Sequence, residues 1–232
     1  MIKTLLSFRT SILLKKYENL LKPFTPQIKY YTKDCSEDDT PGRHQYHKDV
    51  EEAINQQICA EFNAAYAYLS MACYFGRTEL ALPGCQGFFM DMWEEELEHA
   101  TVFINFQLMR GAHVRLAPIN VPESQDWKSI VNGFGVAVDM EKLIKEKLCG
   151  VFQVAEKHKD LQVMDLVSTQ FMEEQNRSIC ELSRLLTMAK MADNPTGEYL
   201  FDKLLYNNFV EKSKDNAMYK TKLDLKEDKV YK

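Results

Sequence analysis

The sequence predicts an all-α protein: four long helices packed as a bundle, with one long crossover connection and a short fifth helix. Three observations predict it. Four long segments repeat apolar residues at three- and four-residue steps, the period of an amphipathic helix. The connection between the second and third of them is much longer than the others and has no helical period. No strand-like alternation and no internal repeat interrupts the pattern.

The first helix begins near His47, where Val50, Ile54, Ile58, Phe62, Ala65, Tyr68 and Leu69 recur at helical spacing, and it fades at Gly76. Pro83-Gly84 opens the second, since proline suits the first helical turn. That helix carries Phe88, Phe89, Met92, Phe103, Phe106 and Leu108 and stops at Gly111. Ala112 to about Trp127 holds Pro118 and Pro122; at roughly 16 residues it is long for a compact domain, where the median is about 4–6. A crossover running the length of a bundle accounts for it. The third helix runs from about Ser129 to His158 and the fourth from about Gln162 to Ala192. The short turn between those two makes them antiparallel neighbours. Asn194-Pro195-Thr196-Gly197 reads as a break before a fifth helix starting near Glu198. Spacing alone also fits cytokine-like and other bundles, so the chemistry has to decide.

Of the 232 residues, 45% are apolar and 27% charged, which allows a full-sized core. The net charge of −5 argues against a nucleic-acid surface and suits the attraction of cations. No apolar run approaches the length needed to span a bilayer, so neither nucleic acid nor membrane is expected as a partner. Cys35, Cys59, Cys73, Cys85, Cys149 and Cys180 form no CxxC pair and read as small buried hydrophobes of a reducing compartment. Residues 1–17 carry Lys3, Arg9, Lys15 and Lys16, several Ser and Thr, and no acid. Their apolar residues fall mostly on one half of a helical wheel. That composition fits a mitochondrial transit peptide, with a cytosolic extension as the alternative. Three parts follow: an extension and linker over 1–45, a bundle over 46–205, and a mixed-charge tail over 206–232.

The chemistry centres on Trp93-Glu94-Glu95-Glu96-Leu97-Glu98-His99. Residues three apart share a helix face, so Glu96 and His99 point at one spot, and Glu95 and Glu98 form a neighbouring acidic stripe. Glu61 lies among Ile58, Phe62 and Ala65, and Glu141 among Val138, Leu143 and Ile144. Buried carboxylates are costly unless paired or bound to metal, and few cations sit at helical spacing to pair these. One glutamate from each of two helices plus Glu-x-x-His matches the bundle-core recipe for a two-metal carboxylate site. The fourth helix departs from it: Glu173-Glu174-Gln175 is followed by Arg177 where a second imidazole would stand. One metal position is therefore well supplied, by Glu61, Glu96 and His99. The other is thinner, with Glu96 bridging, Glu141 as main ligand and Gln175 beside it. Oxygen-rich donors with one imidazole suit iron or manganese. His44, His47, His113 and His158 read as surface or loop residues, each lacking an acid on a shared apolar face.

Gln57-Ile58-x-x-Glu61, Tyr66-x-Tyr68-Leu69-Ser70-Met71, Glu95-Glu96-x-Glu98-His99-Ala100, Met140-Glu141-Lys142, Glu174-Gln175 and Glu198-Tyr199-Leu200-Phe201-Asp202-Lys203 follow one another at set spacings. In these residues the chain resembles a ferritin of the heavy, ferroxidase-active type, mitochondrial forms included, over residues 46 to about 205. The resemblance implies two irons per subunit, bound by Glu61, Glu96, His99 and Glu141 with Gln175 beside the second, roughly 3.5–4 Å apart as in two-metal sites generally. Tyr68 resembles the family tyrosine that hydrogen-bonds near the site. Such ferritins oxidise Fe(II) with O2 and deposit ferric mineral inside a shell of 24 subunits, either of one chain or mixed with other ferritin subunits. Glu95 and Glu98 resemble inner-surface acids for mineral nucleation, but Thr101 holds the third usual acid position. Asp165 resembles one of two acids lining the threefold iron-entry pore, and Ser168 stands where its glutamate partner is expected. The alternatives are a slow, shell-building storage subunit and a di-iron oxidase of an organic substrate.

Overall fold

The structure is a computed structural model that describes residues 40–210. The transit-peptide segment 1–17, most of its linker and the tail from 211 onward lie outside the described residues. Within them the fold is the all-helical bundle that the spacing predicts. Helix α1 is Lys48–Phe75, α2 is Pro83–Met109 and α3 is Ile130–Lys157. The fourth long helix is composite: α4 (Leu161–Leu166), a π-helical turn over Val167–Phe171, and α5 (Met172–Met191). The short fifth helix is α6 (Pro195–Leu205), continued by a second π-helical turn over Tyr206–Val210.

Local chemistry sets these boundaries. The Ser129 side chain accepts from the Asn132 N–H and caps α3. The Asp160 side chain does the same for α4 through the Val163 N–H. Asn194 accepts from the Gly197 N–H, with Pro195 in the first turn, so Asn-Pro-Thr-Gly is the start of α6 and not a break before it. A proline whose N–H would be unused anyway is compatible with that position, which corrects the expected start at Glu198. Leu82, at the start of α2, supplies no side-chain cap. Asp202 of α6 supplies it from a distance: its Oδ1 accepts from the Cys85 N–H at 2.8 Å. The two helices approach so closely that a Cβ on Gly84 would lie 1.9 Å from the Asp202 carbonyl oxygen.

The long crossover is fastened to α1 by side chains spaced along that helix. Glu51 Oε1 accepts from the His113 N–H at 2.8 Å. Asn55 Oδ1 accepts from the Arg115 N–H at 3.0 Å, and Asn63 Oδ1 from the Asn120 N–H at 2.8 Å. Ser70 Oγ accepts from Trp127 Nε1 at 3.2 Å. Both chains ascend in these four contacts, so the crossover runs parallel to α1 from its first turns to its last. It delivers α3 to the far end. A connection without helical period thereby satisfies backbone groups that would otherwise be left unpaired.

The apolar core falls into two clusters. One holds Tyr68, Phe75, Phe89, Phe134 and Leu182, with Phe209 of the second π turn 5.0 Å from Phe88. The other holds Ile54, Ile58, Phe103, Leu148 and Phe171. On every long helix the boundary between them is a buried polar residue: Glu61 on α1, Glu96 on α2, Glu141 on α3 and Gln175 on α5. Of the cysteines expected in the core, only Cys85 is buried among the described residues; Cys59 and Cys149 are half-buried, and Cys73 and Cys180 are exposed. Apolar neighbours in sequence did not place those four on the inward face, because adjacent helical positions are turned about 100° apart. No helix of the described residues is long and apolar enough to cross a membrane.

Candidate metal centre

The polar residues at the middle of the bundle converge. Glu61, Glu96 and His99 each offer a ligand atom, all within 4.8 Å of one another. Glu61 is 0% exposed, Glu96 1%, Glu141 2% and Gln175 3%. Gln57 Nε2 donates to Glu61 Oε1 at 2.8 Å, while Glu61 Oε2 is buried with no hydrogen-bond partner. The Tyr68 hydroxyl donates to one oxygen of Glu141, and Gln175 Nε2 donates to the other. Gln175 Nε2 also reaches the Glu141 carbonyl at 3.0 Å. His99 Nδ1 lies 3.4 Å from Glu96 Oε2, and its Nε2 lies 3.1 Å from Glu174 Oε1. The ring is held edge-on by Phe171, which itself stacks on Phe103 with centroids 4.4 Å apart.

Burial dominates the electrostatics. It pushes Glu61 well above the carboxylate range, helped by the charge of Glu96. It pushes Glu96 up to about 7 and raises Glu141 despite the bonds from Tyr68 and Gln175 that oppose the shift. For His99, burial disfavours the imidazolium, but the bonds to Glu174 and Glu96 outweigh it and the pKa rises to about 11. Glu174 is lowered by its bond to His99. Three buried carboxyls with one imidazole and an orphaned oxygen form a donor set short of positive charge. A divalent cation with a preference for oxygen would satisfy it.

Glu174 is the residue that sequence reasoning left without a role. With Glu95 and His99 it forms a second group of ligand atoms within 4.8 Å, against the first. Glu95 is half-buried there and raised to about 7, chiefly by burial, whereas Glu98 is exposed. The two acids of the expected stripe therefore sit in different surroundings. Thr101 turns its hydroxyl onto the Leu97 carbonyl at 2.8 Å. Asp165 is exposed on α4, and the hydroxyl of Ser168 folds back onto the Met164 carbonyl at 2.7 Å. Arg177 points away from the centre and pairs with Glu173 on the surface.

Comparison with known proteins agrees with this arrangement. Residues 51–192 match the family described as the ferritin-like domain. The chain is 39% identical over 162 residues to the soma ferritin of Lymnaea stagnalis, covering 70% of this chain and 93% of that one. It is 38% identical over 169 residues to a ferritin of Pacifastacus leniusculus, covering 72% and 93%. It is 35% identical over 161 residues to the ferritin-1 heavy chain of Schistosoma mansoni, covering 69% and 93%.

Proposed function

Since the chain belongs to the ferritin family, with iron storage as the function that membership supports, we propose that it is a heavy-type subunit that oxidises the iron it stores. The observation that carries the proposal is the orphaned Glu61 oxygen, buried beside Glu96 and His99 where no Lys or Arg compensates it. Iron is the substrate. One Fe(II) binds Glu61, Glu96 and His99; a second binds Glu141, with Glu96 shared between them and Gln175 alongside. Binding displaces the protons that burial holds on the carboxyls. Tyr68 and Gln175 orient both oxygens of Glu141 while leaving it lone pairs for the ion. Two Fe(II) give two electrons to O2, and the hard carboxylates favour the ferric product. Glu174 and Glu95, against His99, offer the next oxygen donors for iron leaving the centre, and Glu98 lies further out for mineral nucleation. Asp165 marks the entry end.

The proposal includes a shell of 24 subunits, made of this chain alone or mixed with other ferritin subunits. The native particle should have the mass of such a shell, carry iron, and oxidise anaerobically loaded Fe(II) within seconds of oxygen admission. A small oligomer without iron would refute it, and a shell that oxidises only in the slow, core-dependent phase would leave a storage subunit without the ferroxidase step. The destination we propose is the mitochondrial matrix, on the composition of residues 1–17, the cytoplasm being the alternative. A reporter fused to residues 1–45 should enter mitochondria; one that stays cytosolic removes the assignment.

A further inference from the structure

Two histidines that sequence spacing leaves as separate surface residues meet at one end of the bundle. His47 precedes α1 and His158 follows α3. Their rings stack with centroids 3.6 Å apart and planes 15° from parallel. Asp49, in the first turn of α1, reaches both. Its Oδ2 lies 2.9 Å from His158 Nε2, and its Oδ1 lies 3.7 Å from His47 Nδ1. One ligand atom from each of the three lies within 4.8 Å of the other two. The expectation that these histidines lack a nearby acid is therefore corrected. The acid and one imidazole are local to the start of α1, and the second imidazole arrives with the end of α3. The cluster is about 20 Å along α1 from Glu61, at 1.5 Å per residue, so it is no part of the buried centre.

We propose that His47, Asp49 and His158 form a surface site for a divalent transition metal of the nitrogen-preferring class, zinc or copper, with water completing its coordination. The donor chemistry separates it from the buried centre. Two imidazoles and one carboxylate suit zinc and copper, whereas one imidazole among carboxylates suits iron. The ligands are accessible: the side chains of His47 and Asp49 are 51% and 50% exposed, and that of His158 is 17% exposed. Two present contacts give way when the ion binds. His47 Nδ1 now accepts from the Asp49 N–H at 3.1 Å as the α1 cap, and Lys157 Nζ lies 3.5 Å from Asp49 Oδ2. A cap and an exposed ion pair are among the weaker contacts of a fold, so the ion can replace them. An ion held there links the start of α1 to the end of α3 and stabilises the folded chain by mass action.

The test uses the full-length particle, with zinc binding measured by equilibrium dialysis and Cu(II) read by electron paramagnetic resonance. Copper at this site should show hyperfine splitting from two imidazole nitrogens, which the buried centre with its single imidazole cannot produce. His158→Gln should remove one zinc equivalent per chain, weakening that class of sites at least about tenfold. It should also abolish the two-nitrogen signal while Fe(II) oxidation stays at the parent rate. His47→Asn, which keeps a residue able to cap α1, should do the same. Absence of the two-nitrogen spectrum from the parent particle, or zinc stoichiometry and spectrum unchanged in both variants, would overturn the proposal.

Discussion

A Glu61→Ala, His99→Ala double variant is expected to lose rapid oxygen-dependent oxidation of anaerobically loaded Fe(II), by at least about 100-fold, while keeping the native particle mass. Loss of a group that merely supports a ligand costs a metal site about 10–100-fold, and here two ligands go at once. The third residue of that position, Glu96, cannot hold an ion alone against water. The fold should survive, because Glu61 Oε2 has no partner to lose and His99 touches only other members of the centre and Phe171. Replacing the exposed pair Glu173 and Arg177 by alanine is the matched control and should leave the rate unchanged. Stopped-flow absorbance at the ferric band reads both variants. An undiminished rate in the first would place the chemistry elsewhere.

Without metal, the same centre opposes folding, and Glu61→Gln is expected to stabilise the metal-free protein by about 1–3 kcal/mol at pH 8, the cost of one unsatisfied buried polar group. The sign follows from the direction of the shifts. Glu61 is held above the ordinary carboxylate value of 4.5, and Glu95 and Glu96 are raised to about 7. A raised acid contributes stability that is fully present below its unfolded value and lost as pH rises through its folded value. His99, raised from 6.5 to about 11, loses its contribution in the same direction as pH climbs past 6.5. The metal-free parent should therefore melt at lower temperature at pH 8 than at pH 5.5, and Glu61→Gln should narrow that difference. Metal loading should reverse the order of the two proteins, because the ion needs the deprotonated carboxylate that glutamine lacks. Thermal melts at fixed scan rate, with and without Zn(II), would show it. A Glu61→Gln protein less stable than the metal-free parent at pH 8 would contradict the reading of that oxygen as uncompensated.

These effects were legible in the sequence to the extent that each depends on a residue out of keeping with its neighbours. Glu61 and Glu141 stand in apolar stripes, and Glu96-x-x-His99 has the spacing of one helix face, so their convergence could be read from periodicity and bundle geometry. The boundaries of α2 and α3 were equally plain, because Pro83 and Ser129 carry their own start signals. Other features were hidden for physical reasons. The cap of α2 comes from Asp202, on a helix more than 100 residues away, and no local pattern announces a borrowed cap. Glu173, Glu174 and Gln175 are adjacent acceptors of similar size, and spacing within a regular helix does not say which of them meets His99. His47 and His158 are neighbours only because the crossover makes α3 antiparallel to α1, which puts the end of one beside the start of the other. The exposed cysteines were misread because an apolar neighbour in sequence is a poor guide to helix face.

The widened turn at Val167–Phe171 bears on how the fourth helix can serve both of its ends. Val163, Val167, Phe171 and Gln175 are all buried, and each lies four residues from the next. On a regular helix each step of four overshoots a full turn by about 40°, so three steps drift about 120° and would carry Gln175 off the face that Val163 occupies. One extra residue in a π turn takes back about 100° of that drift. The turn acts as a phase joint. It lets the stretch around Asp165 keep its outward aim while the stretch from Gln175 onward keeps its inward one, so the two ends of a single helix are indexed to different neighbours.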